Sequence, residues 1–180
     1  NADFAYTLDC CGIGEIGDED WNAGEFRITF TGQPAHPMSA KGKMQNSIRY
    51  AQQFIAMLPG GERPEYTEGR EGYYWVKGIE GTVAKTTLTI DIRDFTKEGF
   101  ENRRQFIAKL ASGFNQLHGR HIVDVHYKPV YRNVAESLEG KNRYPVELAL
   151  NAMRTIGVEP KPVPMRGGYD GAVLSEKGVP

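Results

Sequence analysis

Apolar and polar residues alternate along the middle of the chain in a way that predicts four strands and two helices. Four segments alternate with a period of two or combine aromatic and β-branched residues, as strands do. Two longer segments carry apolar residues every three or four positions, which is typical of amphipathic helices. In chain order these are EFRITFTG (25–32, strand), KMQNSIRYAQQFIAML (43–58, helix), GYYWVKG (72–78, strand), TVAKTTLTIDIRDF (82–95, strand), FENRRQFIAKLASGFNQL (100–117, helix) and HIVDVHYKPV (121–130, strand).

The resulting β-α-β-β-α-β order, from about residue 23 to 132, predicts an α+β fold. We expect the two helices to cover one face of a four-stranded antiparallel sheet. Within segment 82–95, Leu88 and Ile90 alternate with polar residues, so Arg93 is predicted to lie on the polar face.

The two ends of the chain follow different patterns. FAYTL (4–8) is a short apolar run that predicts a buried strand ending at Asp9. YPVELALNAMRTIG (144–157) predicts an amphipathic helix, and KPVPMRGGYDGAVLSEKGVP (161–180) predicts a strand, a glycine turn and a short helix. Carboxyl ends of strands are where α/β sheets bind ligands, although an aspartate that starts a glycine turn is the plainer interpretation of Asp9.

These patterns divide the chain into an inserted unit and two flanks. We assign residues 21–133 to the inserted unit, and residues 1–20 and 134–180 to parts of an α/β domain. Asn1-Ala2 is typical of the remnant of a cleaved tag, and GVP ends the chain without a closing element. We therefore expect a fragment of a longer protein.

Composition narrows the partners that this chain can have. Of its 180 residues, 39% are hydrophobic and 25% are charged, with a formal net charge of -1. This balance gives no bias toward nucleic acid or anionic lipid, and no apolar run approaches the roughly 20 residues that span a bilayer. The adjacent Cys10 and Cys11 are poorly placed for a disulfide with each other, so we expect them to be reduced. The sequence predicts a cytoplasmic protein with no nucleic-acid or membrane partner.

A histidine between two prolines is the most pointed candidate for chemistry. In QPAHPMSAKG, Pro34 and Pro37 each fix φ, and Pro37 favours an extended backbone at His36. An imidazole positioned in this way is suited to stabilising a negative oxygen that develops during a reaction. The alternative is a turn histidine in a proline-containing loop.

Four stretches taken together resemble one enzyme family. They are TLDCCG, QPAHPMSAKGKMQN, TEGREGYYW with IRDFTKEGFENRR, and PMRGGYDGAVLSEKGVP. Their order and spacing are similar to those of the co-catalytic zinc metallopeptidases, which include carboxypeptidase G and acetylornithine deacetylase. The last two stretches resemble the tripeptide aminopeptidase branch, peptidase T. The resemblance implies a catalytic domain with two zinc ions and an inserted lid domain that commonly forms the contact of a homodimer.

The resemblance also implies a role for each matching residue. Asp9 corresponds to a zinc ligand, His36 to a lid histidine that approaches an active site, often the partner subunit's, and the others to substrate contacts. An arginine fork suits the terminal carboxylate of a short peptide, whereas a surface ion pair is the alternative for either arginine. The implied substrate-binding residues are Arg93, Arg166, Gly168, Tyr169 and Asp170.

The sequence departs from the family pattern in two ways. Cys10, Cys11, Met38 and Tyr169 replace the usual residues, which puts a narrow tripeptide specificity in question. The sequence contains no counterpart of the family's His-x-Asp motif, its Glu-Glu pair with the general base, or its last ligand histidine. We therefore expect this chain alone to be inactive and to bind zinc poorly.

Three functions follow from these observations. The first is an aminopeptidase that removes the N-terminal residue of short peptides by attack of a zinc-bridging water, with a deacylase or carboxypeptidase of the same family as its nearest alternative. The second is an RNA-recognition module in which Tyr73, Tyr74 and Trp75 stack on bases, although the chain lacks the (K/R)-G-(F/Y)-(G/A)-F pattern and a basic face. The third is a dimerisation domain without catalysis.

Overall fold

A computed structural model describes residues 3–9 and 12–180. Asn1, Ala2, Cys10 and Cys11 lie outside the described residues, and so do the predictions of a tag remnant and of reduced cysteines. The described residues form these strands and helices: β1 (Glu15–Glu19), β2 (Asn22–Thr31), α1 (Ser47–Ala56), β3 (Tyr73–Gly81), β4 (Lys85–Asp94), α2 (Lys97–Leu117), β5 (Val123–Tyr131), α3 (Tyr144–Thr155), β6 (Lys161–Pro164) and α4 (Asp170–Glu176).

The central sheet confirms the predicted β-α-β-β-α-β order. Its four strands lie in the order β3-β4-β2-β5, and every neighbouring pair is antiparallel. Asn22 lies opposite Asp94 at one end of β2, and Thr31 lies opposite Lys85 at the other. We call these the seam end and the distal end of the sheet, and we call the sheet with α1 and α2 the lid.

The two helices bury one face of the lid sheet. Asn46 and Thr96 begin α1 and α2 as N-caps, because their side-chain oxygens accept hydrogen bonds from backbone N–H groups two or three residues later. Alternate residues of the strands meet the apolar stripes of both helices, as the period-two pattern predicts. The fully buried members of this core include Ile28, Phe30, Phe54, Leu88, Ile90, Ile92 and Ile107.

The flanks form a second, smaller assembly. β1 pairs with β6 in a parallel two-stranded sheet, and a small core of Val134, Leu138, Val146 and Leu150 lies beside it. Helix α3 and strand β6 lie where the sequence predicts them. No helix among residues 3–9 and 12–180 has the length and apolar character needed to cross a membrane.

The predicted strand at residues 4–8 is wrong. This segment has no regular structure, Leu8 is 99% exposed, and the backbone of Ala5 bonds only to Pro180 among the described residues. A strand requires a neighbouring strand for its backbone groups, and the described part of the chain places none there. Asp9 is therefore an exposed residue of an irregular segment. The division at residues 20 and 133 stays a prediction.

Candidate functional site

The lid joins the flanks through a buried set of polar groups. Asp20 N donates to Asn133 Oδ1 at 3.0 Å, and Asp20 Oδ1 accepts from Val134 N at 2.6 Å. Asn22 Nδ2 and Asn133 Nδ2 both donate to the carbonyl oxygen of Phe95. These five residues, which we call the seam, are all buried. Buried polar groups that are paired with each other fix the chain path at the two points where it passes between the flanks and the lid.

Asp20 is the least satisfied group of the seam. Its side chain is fully buried, and Oδ2 has no hydrogen-bond partner among the described residues. Burial raises the pKa of Asp20 to about 7, although the Val134 N–H and the Arg93 guanidinium act in the opposite direction. A substantial share of Asp20 is therefore protonated and uncharged at neutral pH.

Aromatic side chains surround this carboxyl. Trp21 is fully buried and lies 5.3 Å from the ring of Tyr73 and 4.2 Å from that of Phe95, centroid to centroid. Tyr131 packs against the same cluster, and burial raises its pKa to about 12. The seam end of the sheet therefore offers an apolar setting in which charges are weakly screened.

Arg93 lies in this setting without a close carboxylate. It lies on β4 between Ala23 of β2 and Tyr73 of β3. Its Nη1 donates to Tyr131 Oη at 2.8 Å, whereas Nη2 is 3.9 Å from Asp91 Oδ2. Nε is buried and has no hydrogen-bond partner within the described residues. The guanidinium therefore has hydrogen-bond donors that could still bind an anion.

Arg166 is fully engaged with this chain. Its guanidinium carbon lies 4.9 Å from the centroid of the Trp21 ring and 5.8 Å from that of Tyr73. Its two Nη atoms donate to the carbonyl oxygens of Thr67, Gly69 and Glu71 and to Thr67 Oγ1, at 2.9–3.2 Å. These contacts favour a structural role, which is to fix the loop 67–71 to the segment before α4. The substrate-binding role of Arg166 stays a prediction.

Two further residues of RGGYDG, Gly168 and Tyr169, contact the lid and the flank. A Cβ at Gly168 would lie 2.5 Å from Tyr131 Oη, so only glycine lets this loop approach Tyr131 so closely. Tyr169 Oη donates to the carbonyl oxygen of Gly17 at 3.0 Å, and burial raises the pKa of Tyr169. Asp170 is exposed at the start of α4. Arg93 and Gly168 thus share Tyr131 as a neighbour.

Asp9 and the same loop border one cleft. This cleft has a volume of about 610 Å³, and both Asp9 and Tyr169 line it. Its wall is mostly apolar and includes Ile16, Val134, Val146, Met153 and Met165. The structure therefore brings together Asp9 and part of RGGYDG, which are 160 positions apart at Asp9 and Tyr169.

The side chains of this cleft do not by themselves fit a pair of zinc ions. No group of three or more His, Cys, Asp or Glu side chains converges within the described residues as a metal site requires. A structural or catalytic zinc ion takes at least three protein ligands in most sites, and Asp9 supplies one carboxylate.

His36 lies far from this cleft. It is exposed, with φ −64° and ψ 132°, which is the extended backbone that the prolines predict. It follows the distal end of β2, and the ten residues of that strand span roughly 30 Å from the seam. Nδ1 accepts from Met38 N at 3.2 Å, so a neutral ring carries its proton on Nε2. His36 is therefore a positioned hydrogen-bond donor outside this chain's own cleft.

Sequence reasoning missed Asp20, Trp21 and Tyr131. Asp20 and Trp21 lie at the predicted boundary between two units, where side chains become buried. That position was a signal by which they could have been found. Tyr131 ends a strand whose pattern gives no hint of its partner, so nothing in the sequence indicated the contact with Arg93.

Relatives in the curated proteins share almost the whole of this chain. Peptidase T of Clostridium perfringens is 47% identical over 179 residues, which are 99% of this chain and 44% of that protein. Peptidase T of Caldanaerobacter subterraneus is 43% identical over 99% of this chain and 43% of its own length, and a peptidase T-like protein of Rhizobium meliloti is 44% identical over the same shares. The chain spans less than half the length of the curated relatives it matches.

Solved structures share the fold at lower identity. An aminopeptidase PepT from Bacillus cereus matches with a TM-score of 0.79 at 22% identity, over 99% of this chain and 48% of that chain. A tripeptidase from Staphylococcus aureus matches with a TM-score of 0.80 at 17% identity, over 100% of this chain and 48% of that chain. A dinuclear metal-binding peptidase from Bacillus subtilis matches with a TM-score of 0.61 at 17% identity, over 93% of this chain and 42% of that chain. These likenesses confirm the expected fold.

A protein-family model also matches this chain. Residues 21–121 match the model described as the peptidase dimerisation domain, which is more than half of the chain. The match covers β2 through α2 and therefore most of the lid. Together with the relatives it confirms the resemblance drawn from the sequence, and the chain belongs to the family of peptidase dimerisation domains.

Proposed function

We propose that this chain is the lid and an adjoining part of the catalytic domain of a zinc-dependent aminopeptidase that removes the N-terminal residue from short peptides, tripeptides in particular. The observation that carries the proposal is the shared cleft of Asp9 and Tyr169 in a chain 47% identical to a peptidase T. The proposal concerns the longer protein, of which this chain contributes one portion.

Arg93 recognises the C-terminal carboxylate of the peptide. Its side chain is 19% exposed, and its nearest carboxylate oxygen is 3.9 Å away. A guanidinium in an apolar setting binds a carboxylate through paired charge-assisted hydrogen bonds. A fixed distance between this arginine and the reacting bond favours peptides of one length.

His36 acts on the active site of a partner subunit in a homodimer. Its distance from the seam makes a reach to the cleft of the same chain implausible, and it belongs to a dimerisation domain. The Nε2–H of the neutral ring is a suitable donor to the oxyanion that forms when water attacks a peptide carbonyl. Because His36 Nδ1 is held by Met38 N, this donor needs no rearrangement.

Asp9 would supply one ligand to a metal pair in the longer protein, and the remaining ligands and the general base would come from residues outside this chain. The choice of zinc comes from the family resemblance alone. Location in the cytoplasm stays a prediction from composition.

Two alternatives differ in how well they are supported. Tyr169 favours a deacylase or carboxypeptidase of the same family. The Tyr169 ring borders the cleft, and its hydroxyl donates a hydrogen bond to the carbonyl oxygen of Gly17. An RNA-recognition module is disfavoured, because Tyr73 and Tyr74 are 7% and 4% exposed, which leaves Trp75, at 43%, as the one open ring of the three.

The experiment is an assay of the full-length protein on a tripeptide, the same tripeptide with an acetylated N-terminus, and an acylated amino acid. We expect cleavage of the free tripeptide only, loss of activity on chelation, and recovery with added Zn²⁺. Asp9→Asn should remove at least about 99% of the activity, as loss of a metal ligand does. Preferential hydrolysis of the acetylated or acylated substrate would refute the aminopeptidase and support the deacylase.

A further inference from the structure

Four charged side chains meet on the open face of the lid sheet, near the seam end. Glu25 of β2 lies directly opposite Asp91 of β4, an arrangement in which two carboxylates repel each other. Lys77 Nζ lies 2.6 Å from Glu25 Oε2 and 3.0 Å from Asp91 Oδ1. Arg93 is the fourth member, two residues after Asp91 on the same face.

A β-bulge brings Lys77 to this position. The register of β3 against β4 shifts between Val76 and Gly78, so Lys77 is the extra residue. Trp75 lies opposite Asp91, and Gly78 lies opposite Thr89. Without the bulge, residue 77 would lie on the open face opposite Thr89, two positions along β4 from Asp91. The bulge therefore sets where the ammonium group lies relative to the two carboxylates.

The position of Lys77 decides the partner of Asp91. Asp91 Oδ1 is 3.0 Å from the ammonium group, whereas Asp91 Oδ2 is 3.9 Å from Arg93 Nη2. Both ion pairs of Lys77 raise its pKa, so it stays charged across the working range. Arg93 donates instead to the uncharged hydroxyl of Tyr131. Of the two cations beside Asp91, Lys77 makes the close pair.

We propose that Lys77 is a positioning residue that engages Asp91 and so keeps the Arg93 guanidinium free for the carboxylate of the substrate. This inference rests on the proposed function, and it adds a determinant of specificity that does not itself touch the peptide. Without the ammonium group, Asp91 would turn to Arg93 and compete with the substrate for the same donors.

The test compares a free tripeptide with the same tripeptide amidated at its C-terminus, using the full-length protein. The wild type should prefer the free carboxylate. Lys77→Met should lower that preference by about tenfold or more, through KM rather than kcat, whereas Lys77→Arg should retain it. Lys128→Met is the matched control, because Lys128 lies opposite Glu25 on β5 and makes no ion pair with Asp91 among the described contacts.

A double variant makes the test independent of folding. In Lys77→Met/Asp91→Asn the competing carboxylate is gone, so the preference for the free carboxylate should return. An unchanged preference in Lys77→Met, or no recovery in the double variant, would overturn the role of Lys77 while leaving the aminopeptidase intact. A wild type that cleaves no tripeptide would instead refute the proposed function, and the inference about Lys77 with it.

Discussion

The lid and the flanks bury their apolar residues to very different extents. In the lid, Ile28 and Leu88 are fully buried between one face of the sheet and two helices. In the flanks, Leu8 is 99% exposed and Ile156 is 76% exposed, and the cleft beside Asp9 is walled by apolar side chains. The lid therefore has a continuous core between its sheet and helices, whereas the flanks leave apolar side chains exposed. In the proposed function, the metal chemistry belongs to the cleft of the flanks, and recognition of the substrate carboxylate belongs to Arg93 of the lid.

Leucine-to-alanine substitutions in the two cores should differ most in their effect on stability. Leu88→Ala should lower the free energy of unfolding by about 3–5 kcal/mol, because the well-packed lid cannot close the cavity. Leu150→Ala in the flank should cost about 2 kcal/mol, because its small cluster can close around the lost side chain. Urea unfolding of both variants measures the difference. Equal losses would contradict the contrast between the two regions.

The pH dependence of the free energy of unfolding tests the seam that joins the lid to the flanks. The folded pKa of Asp20, about 7, lies above its ordinary value of 3.8, so the folded chain binds a proton that the unfolded chain releases. The free energy of unfolding should therefore fall as pH rises from about 4 to 7, by about 1–3 kcal/mol from this group. Asp20→Asn should remove that part of the slope, because the amide does not titrate. Unfolding curves at several pH values give the comparison, and an identical slope in both proteins would refute it.

Glycine substitutions test the contact between RGGYDG and the lid. Gly168→Ala should lower the free energy of unfolding by about 1–3 kcal/mol, since the new Cβ would overlap the Tyr131 side chain. Gly167→Ala is the control, because a Cβ there meets nothing within 4 Å. Thermal unfolding of the pair is sufficient. If both alanines have the same effect, Gly168 does not pack against Tyr131 as described.

The smallest expected effect concerns the loop that Arg166 fixes. Arg166→Lys should reduce stability by only about 0.5–1.5 kcal/mol, because a single ammonium replaces several of the guanidinium's hydrogen bonds. Hydrogen exchange of the amides in residues 67–71 should nevertheless become faster, while exchange in the lid core stays slow. Unchanged exchange in that loop would show that Arg166 does not hold it.

The sequence predicted the lid far better than the flanks, for a physical reason. Phe26, Ile28 and Phe30 alternate with polar residues and are buried by other residues of this same chain, so β2 was predictable. FAYTL is an apolar run that also predicts a strand, but it has no neighbouring strand in the described chain. EIGDE forms β1 through pairing with β6, although its polar sequence shows no alternation. The sequence of a segment shows whether it could form a strand, but it does not show whether a neighbouring strand is present to pair with it.

The candidate site divides in the same way. The proline pair around His36 predicted its extended backbone, because that constraint is local. The engagement of Arg166 with residues 67–71 depends on a segment that is distant in sequence, and no spacing in the chain reveals it. The shift of register at Lys77 lies within the β3-β4 hairpin, but the alternation of residues in β3 does not show it.

The most direct test of the whole account is subunit complementation in the full-length protein. His36→Ala and Asp9→Asn are each expected to be inactive as homodimers. When they are co-expressed, a mixed dimer has one site with an intact Asp9 and with His36 donated by the partner subunit. We expect recovery of about a quarter of the wild-type activity on tripeptides, since half of the random dimers are mixed and each has one working site. No recovery, with mixed dimers present, would contradict the claim that the lid histidine serves the partner's cleft.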